Sequence, residues 1–269
     1  MTENAHQTGY APVNGLEMYY EIHGSGEPLL LLHGAYGTID MWESILQSLA
    51  EGWQVIAVEF QGHGHTADVD RPFSFEQFAD DIAAVMEDLG IAQADIVGYS
   101  MGGNTGLQLA MRHPDLVRKL VAISPNHRSD GYYPEILSMI QSITPEVLAG
   151  SPMEVAYLRN APNPGDWPTL VEKLKQLNAQ DFAWPKEDLE SIVAPTLIVI
   201  GDSDVVRPER AVELFRLLGG GVPGDLTGLA NSQLAVLPGK THVSLVMEPT
   251  DLLLTMITRF LDAPTPEAA

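Results

Sequence analysis

One serine, Ser100, stands between glycines placed two residues away on each side, in Gly98-Tyr99-Ser100-Met101-Gly102. An apolar run, Asp95-Ile96-Val97, stops at Gly98, and a helical pattern from Asn104 to Arg112 begins just after Gly102. A chain turning sharply from strand to helix needs glycine at such positions, because a side chain there would collide with neighbouring backbone. The turn would hold the Ser100 hydroxyl at a helix N-terminus, where free N–H groups and the helix dipole favour developing negative charge. The chemistry this suggests is nucleophilic attack. A hydroxyl is a weak nucleophile, so a histidine must take its proton. An acid must then hold that histidine in the right tautomer and stabilise its charged form.

Partners for Ser100 are expected just beyond the C-terminal ends of later strands, where parallel α/β sheets build their sites. Two strand ends supply the missing groups. One runs Gly201-Asp202-Ser203-Asp204-Val205-Val206-Arg207-Pro208, and the other Leu237-Pro238-Gly239-Lys240-Thr241-His242. On spacing alone either Asp202 or Asp204 could serve His242. An oxyanion formed during attack needs fixed donors, and the backbone N–H of Met101 is one candidate. The N–H of Ala35 is the second, in His33-Gly34-Ala35-Tyr36-Gly37, where glycines let the loop approach a substrate.

The elements that must position these groups follow in order. Met1 to Gly9 reads as a disordered start. Tyr10–Val13 and Leu16–His23 are strand-like runs joined by Asn14-Gly15, a strong hairpin signal. Leu29–Leu32 and Trp53–Val58 read as buried strands, with Asp40 capping a helix from Met41 to Glu51 between them. Ser74-Phe75-Glu76-Gln77 is a capping-box pattern opening a helix to Leu89. Ala94–Tyr99 and Lys119–Ser124 are strands on either side of the Ser100 helix. From Pro125 to about Glu190 no strand is evident, and prolines separate short helical pieces such as Pro134–Ser142 and Leu170–Leu177. A stretch this long exceeds an ordinary connection and is expected to be a helical lid. The core resumes with a strand at Pro195–Gly201 and a helix from Arg207 to Leu218. A glycine-rich loop over 219–230 precedes a last strand at Ser232–Leu237, and a helix over Pro249–Leu261 closes the chain.

This alternation predicts an α/β fold, a mostly parallel eight-stranded sheet with helices on both faces and an inserted helical lid. Residues 10–124 and 191–262 would form the core and 125–190 the lid.

Five motifs occur in order: His33-Gly34-x-x-Gly37, Gly62-His63-Gly64, Gly98-Tyr99-Ser100-Met101-Gly102-Gly103, Gly201-x-x-Asp204-x-x-x-Pro208 and Pro238-Gly239-x-x-His242. With these motifs, the chain resembles a lidded α/β-hydrolase over residues 10 to 262. The resemblance implies that the acid is Asp204, completing a triad of Ser100, Asp204 and His242. It also implies a cofactor-free serine hydrolase acting on small to medium carboxylic esters, resembling a carboxylesterase. Carbon–carbon bond hydrolases, lactonases and perhydrolases resemble it with the same triad, and a receptor on the same scaffold is a further alternative. Arg128, Arg159 and Arg207 are unplaced cations of the kind a carbon–carbon hydrolase would use to grip a carboxylate.

Tyr36, Tyr99, Trp167 and Trp184 are expected to line the substrate pocket. His33 is expected to brace the oxyanion loop, and His127 and Arg128 to lie on the surface at the lid hinge. His63 and His65 form a His-x-His pair without a third ligand nearby in sequence, so no metal is expected there.

The formal charge of −22, from 14 basic and 36 acidic residues, opposes binding to nucleic acid or anionic lipid. The chain has no cysteine, which excludes disulfides and a thiolate nucleophile. Neither an apolar signal core nor a spanning run is evident, so a soluble, cytoplasmic protein acting on a small molecule is expected.

Overall fold

The computed structural model describes residues His6 to Glu248 and Asp251 to Pro264. The residues beyond Pro264 and those of the expected disordered start before His6 lie outside the described residues. Eight strands form one sheet: β1 (Gln7–Val13), β2 (Leu16–Gly24), β3 (Glu27–Leu32), β4 (Trp53–Val58), β5 (Ala94–Tyr99), β6 (Val117–Ile123), β7 (Thr196–Ser203) and β8 (Ser232–Thr241). Their spatial order is β1-β2-β4-β3-β5-β6-β7-β8. The pairs β1–β2 and β2–β4 are antiparallel, and the pairs from β4 through β8 are parallel.

The helices are α1 (Glu43–Ala50), α2 (Phe75–Asp88), α3 (Met101–Arg112), α4 (Pro134–Ser142), α5 (Pro152–Asn160), α6 (Trp167–Ala179), α7 (Lys186–Glu190), α8 (Pro208–Leu217), α9 (Gly224–Thr227), α10 (His242–Met247) and α11 (Asp251–Asp262). The continuous apolar run of β3 shows why both faces are covered. Leu30 and Leu32 pack into the core under α2 and α3, whereas Leu29 and Leu31 pack into the core under α1 and α11. Successive side chains leave opposite faces of a strand, so a strand buried on both sides must be apolar throughout.

Several boundaries differ from the sequence expectation. β1 begins at Gln7, paired with Ile22, rather than after Gly9. The Asn14-Gly15 turn has φ of 50° and 82°, the left-handed pair that a two-residue hairpin needs. Thr38, not Asp40, caps the turn before α1: its hydroxyl accepts the Asp40 N–H at 3.3 Å, and a short 3-10 turn precedes the helix. β8 runs past Leu237 to Thr241. It tolerates Pro238 because it is an edge strand, where a missing N–H breaks no ladder. The glycine-rich loop contains the single turn α9; the closing helix is described as α11 over Asp251–Asp262, and its expected start at Pro249 lies outside the described residues.

Between β6 and β7 lie α4 to α7. The two ends of this helical run are drawn together. Arg128 and Ala183 form an antiparallel bridge, Ser129 N–H donates to Phe182 O at 2.7 Å, and Trp184 N–H donates to His127 O at 3.1 Å. A second bridge, Tyr132 with Val206, ties this neck to the loop after β7. Farther out, Lys173 of α6 grips the loop before α2. Its ammonium donates to both Asp68 carboxylate oxygens (2.9 and 2.7 Å), to Val69 O (2.7 Å) and to Arg71 O (2.8 Å).

Candidate active site

Ser100 joins β5 to α3 with φ 54° and ψ −113°, a conformation costly for a residue with a side chain. Its N–H is anchored to Ile123 O on β6 at 2.8 Å. The flanking glycines permit this turn. A Cβ on Gly98 would lie 2.2 Å from Gly102 O, and one on Gly102 would lie 2.0 Å from Leu32 O. Any larger residue at either position would push the helix off the sheet.

His242 arrives from the far edge. It is the first residue of α10, whose start is set by a reciprocal cap: Thr241 Oγ1 accepts the Ser244 N–H at 3.2 Å, and Ser244 Oγ accepts the Thr241 N–H at 2.9 Å. From there His242 Nε2 lies 3.0 Å from Ser100 Oγ and Nδ1 lies 2.8 Å from Asp204 Oδ1. Tyr99 packs its ring against the imidazole and donates its hydroxyl to His242 O at 3.0 Å.

The Asp204 carboxylate has a fully buried side chain, and each oxygen has partners. Oδ1 also accepts the Val206 N–H at 3.1 Å, and Oδ2 accepts the Ser124 hydroxyl at 2.5 Å and the Gly201 N–H at 3.3 Å. Burial alone would raise its pKa, but the hydrogen bond and charge of His242 and the donors from Ser124 and Val206 outweigh burial and hold it below the usual carboxylate value. An ionised Asp204 accepts from Nδ1–H and leaves Nε2 free to accept from Ser100. Asp202, the alternative on spacing, is exposed and instead accepts the Gly239 N–H at 2.9 Å.

The loop after β3 comes over the serine. A Cβ on Gly34 would lie 2.8 Å from the Tyr99 ring and 3.4 Å from Ser100 Cβ. Gly37 N–H closes a turn onto Gly34 O at 3.0 Å, with Tyr36 at φ 59°. His33 braces this turn: Nδ1–H donates to Gly34 O at 2.8 Å, and Nε2 accepts the Phe60 N–H at 3.2 Å. Burial, with a contribution from His63, pushes its pKa down to about 3, so it stands neutral, as that pairing requires. Ala35 is half-buried in this turn, and Met101 is the first residue of α3, whose opening N–H groups have no partner within the helix.

The aromatic residues separate into two groups. Tyr36 and Trp167 meet with ring centres 5.9 Å apart, and Tyr157 packs on Trp167 at 5.2 Å. Trp184 instead packs against Phe75 and Phe182. His63 Nδ1 donates to Gln61 O at 3.0 Å, and burial pushes its pKa down to about 4. His65 faces the other way, onto the buried Glu59 carboxylate at 3.0 Å, which raises its pKa. Among the described residues no cluster of three ligating side chains could hold a metal ion.

His127 corrects the expectation of a surface hinge. It is 3% exposed, with Nε2 4.0 Å from Glu213 Oε1, and burial pushes its pKa down to about 4. Arg128 pairs with Asp130 at 2.6 Å and Glu213 at 3.3 Å, and is therefore engaged at the neck. Arg207 lies 3.9 Å from Glu209. Two further residues have no local signal in the sequence: Ser124 reads only as a strand end, and nothing local to Lys173 points to acceptors more than a hundred residues away.

An elbow serine, a histidine and a buried carboxylate at the tips of a mostly parallel sheet define a class, and the chain has the α/β-hydrolase fold. The family model described as "alpha/beta hydrolase fold" matches residues 27–150. RutD of Azorhizobium caulinodans, named as a proposed carbamate hydrolase, is 29% identical over 80% of this chain and 86% of its own length. A non-heme haloperoxidase of Rhodococcus erythropolis is 29% identical over 85% of this chain and 90% of its own. The crystal structure of the enol-lactonase from Burkholderia xenovorans LB400 superposes with a TM-score of 0.71, at 23% identity, over 94% of this chain and 100% of that one. Among the described residues no helix is long and apolar enough to cross a membrane.

Proposed function

We propose that the protein is a serine hydrolase that cleaves small to medium carboxylic esters through an acyl-enzyme on Ser100. The hydrogen-bonded line from Asp204 through His242 to Ser100, at 2.8 and 3.0 Å, carries this proposal. Ser100 Oγ attacks the ester carbonyl carbon while its proton passes to His242 Nε2, and Asp204 stabilises the imidazolium. The N–H groups of Met101 and Ala35 receive the oxyanion. Collapse breaks the bond to the alkoxy oxygen, which leaves as alcohol with the proton from His242. Water then gives a proton to His242 and attacks the acyl carbon. The second collapse restores Ser100 Oγ–H and releases the acid.

The helical run 125–190 acts in this scheme as a lid on the core formed by 10–124 and 191–262. Tyr36 and Trp167, which meet across the oxyanion loop and α6, form one wall of the substrate site. A lactone is a cyclic ester and needs no additional machinery, and a carbamate offers the same carbonyl to Ser100. These classes belong in the same substrate screen as carbon–carbon and peroxide substrates. The test is turnover of p-nitrophenyl acetate and butyrate. Wild type is expected to hydrolyse them and Ser100→Ala to be inert. Pure wild-type protein with no Ser100-dependent turnover of any ester, lactone or carbamate would overturn the proposal.

A further inference from the structure

Four non-glycine residues among those described have φ in the left-handed region: Asn14, Tyr36, Ser100 and Ser124. Asn14 serves a hairpin turn, Tyr36 the oxyanion loop and Ser100 the elbow. Ser124, at φ 51°, follows the last residue of β6 and is 1% exposed. A serine held this way costs free energy that regular strand geometry would avoid, so the surroundings must impose it. Its N–H stays on the neighbouring strand, donating to Val199 O at 2.7 Å, while its hydroxyl reaches Asp204 Oδ2 at 2.5 Å.

We propose that Ser124 is a positioning residue for the reaction, acting through Asp204: its hydroxyl occupies Oδ2 and so presents Oδ1 to His242. The proposal rests on Asp204 being the acid of the hydrolase. A carboxylate can rotate about its Cβ–Cγ bond, and the two oxygens are chemically equivalent until something distinguishes them. The backbone donors treat them nearly alike, with Val206 N–H on Oδ1 at 3.1 Å and Gly201 N–H on Oδ2 at 3.3 Å. The short, charge-assisted bond from Ser124 is the asymmetric contact. It satisfies the oxygen that His242 does not use and keeps the anion stable in a site closed to water. The hydroxyl is supplied by the neighbouring strand end, so the acid loop is fastened from outside its own backbone.

Ser124→Gly separates the hydroxyl from the strain, because glycine adopts the left-handed conformation at no steric cost. Turnover of p-nitrophenyl butyrate is measured for wild type, Ser124→Gly, Asp204→Asn and the double variant. Loss of one hydrogen bond to a buried charge is expected to lower kcat about tenfold to a hundredfold with KM within about twofold. In the Asp204→Asn background the same change should cost less than about twofold more, because the hydroxyl acts through the carboxylate. Ser124→Cys keeps the volume with only a weak donor and should show the same loss, which covers the case that the glycine variant does not fold.

A second readout needs no turnover. The downfield proton resonance of His242 Nδ1–H should move or broaden in Ser124→Gly relative to wild type. Unchanged kcat with an unchanged resonance would overturn the role of Ser124, as would a loss that adds in full to Asp204→Asn. If wild type itself shows no Ser100-dependent turnover, the hydrolase proposal fails, and the resonance alone decides whether Ser124 sets the Asp204–His242 contact.

Discussion

The tips of β5, β7 and β8 and the helical run between β6 and β7 are built to opposite rules. At the strand tips polar side chains are fixed from several directions. The Asp204 side chain has no exposed surface and four donors, and His33 is buried with both ring nitrogens engaged. In the helical run, α4 has no buried residue although it carries Ile136, Leu137, Met139 and Ile140. Met139 is 53% exposed and Val147 66%. The run is held at its neck, by Lys173 and by the inner face of α6, whose Trp167, Leu170, Val171, Leu174 and Leu177 join the core, while α4 stays outside it. A reaction needs atoms held to a fraction of an ångström, whereas substrate choice needs a surface that can be altered without loosening those atoms. Under the proposed function, the chemistry belongs to the first region and selectivity to the second.

Changes at the strand tips should have the largest effects. Ser100→Ala and His242→Ala are each expected to lower kcat by about ten-thousandfold or more without unfolding the protein. Asp204→Asn should lower it by on the order of a thousandfold to ten-thousandfold. Asp202→Asn, whose exposed carboxylate accepts the Gly239 N–H and the Ser203 hydroxyl and not His242, should stay within about threefold. Steady-state kinetics with p-nitrophenyl butyrate check all four, and the reverse order for the two aspartates would reassign the acid.

Stability near the site should depend on pH in a defined direction. His33, His63 and His127 have pKa values pushed down to about 3, 4 and 4, below the 6.5 of a free imidazole. As pH falls from about 6.5 to about 4 the unfolded chain takes up these protons before the folded chain, so folded stability is lost across that window and is greatest above it. Each histidine contributes on the order of 2 kcal/mol of loss by about pH 5. Urea unfolding at pH 7 and pH 5 measures this, and equal stability at the two values would show that these histidines are not held neutral.

Smaller effects should mark the helical run. Lys173→Met removes four polar contacts to the loop before α2 and should cost about 1–3 kcal/mol. It should also speed limited proteolysis between residues 134 and 190 while lowering kcat on a small acetate ester less than about threefold. A large kcat loss would mean that the run also positions the catalytic groups. The mildest change is Met139→Ala, exposed on α4, expected to alter stability by less than about 0.5 kcal/mol. If α4 faces the substrate, the variant should shift ester chain-length preference; no shift would place selectivity elsewhere.

The same division explains what was legible in the sequence. Strands buried on both faces are apolar throughout, so β3 to β5 could be read directly, and the glycines around Ser100 report a steric demand that only their residue type can meet. Asp202 and Asp204 could not be told apart by spacing, because what separates them is burial and the direction of one loop. A polar residue next to Arg128 gives no local sign that the neck of the helical run will cover His127. Ser124 carries no local sign of its left-handed φ or of its contact with a carboxylate eighty residues on. The acceptors of Lys173 likewise exist only once the loop and α6 are packed together.

Treatment of wild type and Ser100→Ala with a fluorophosphonate, followed by mass mapping of the modified peptide, tests the central claim most directly. A nucleophile made by the elbow and the Asp204–His242 pair should give one phosphonyl group per chain, on Ser100, and none in Ser100→Ala. No adduct, or an adduct of equal yield in Ser100→Ala, would contradict the account.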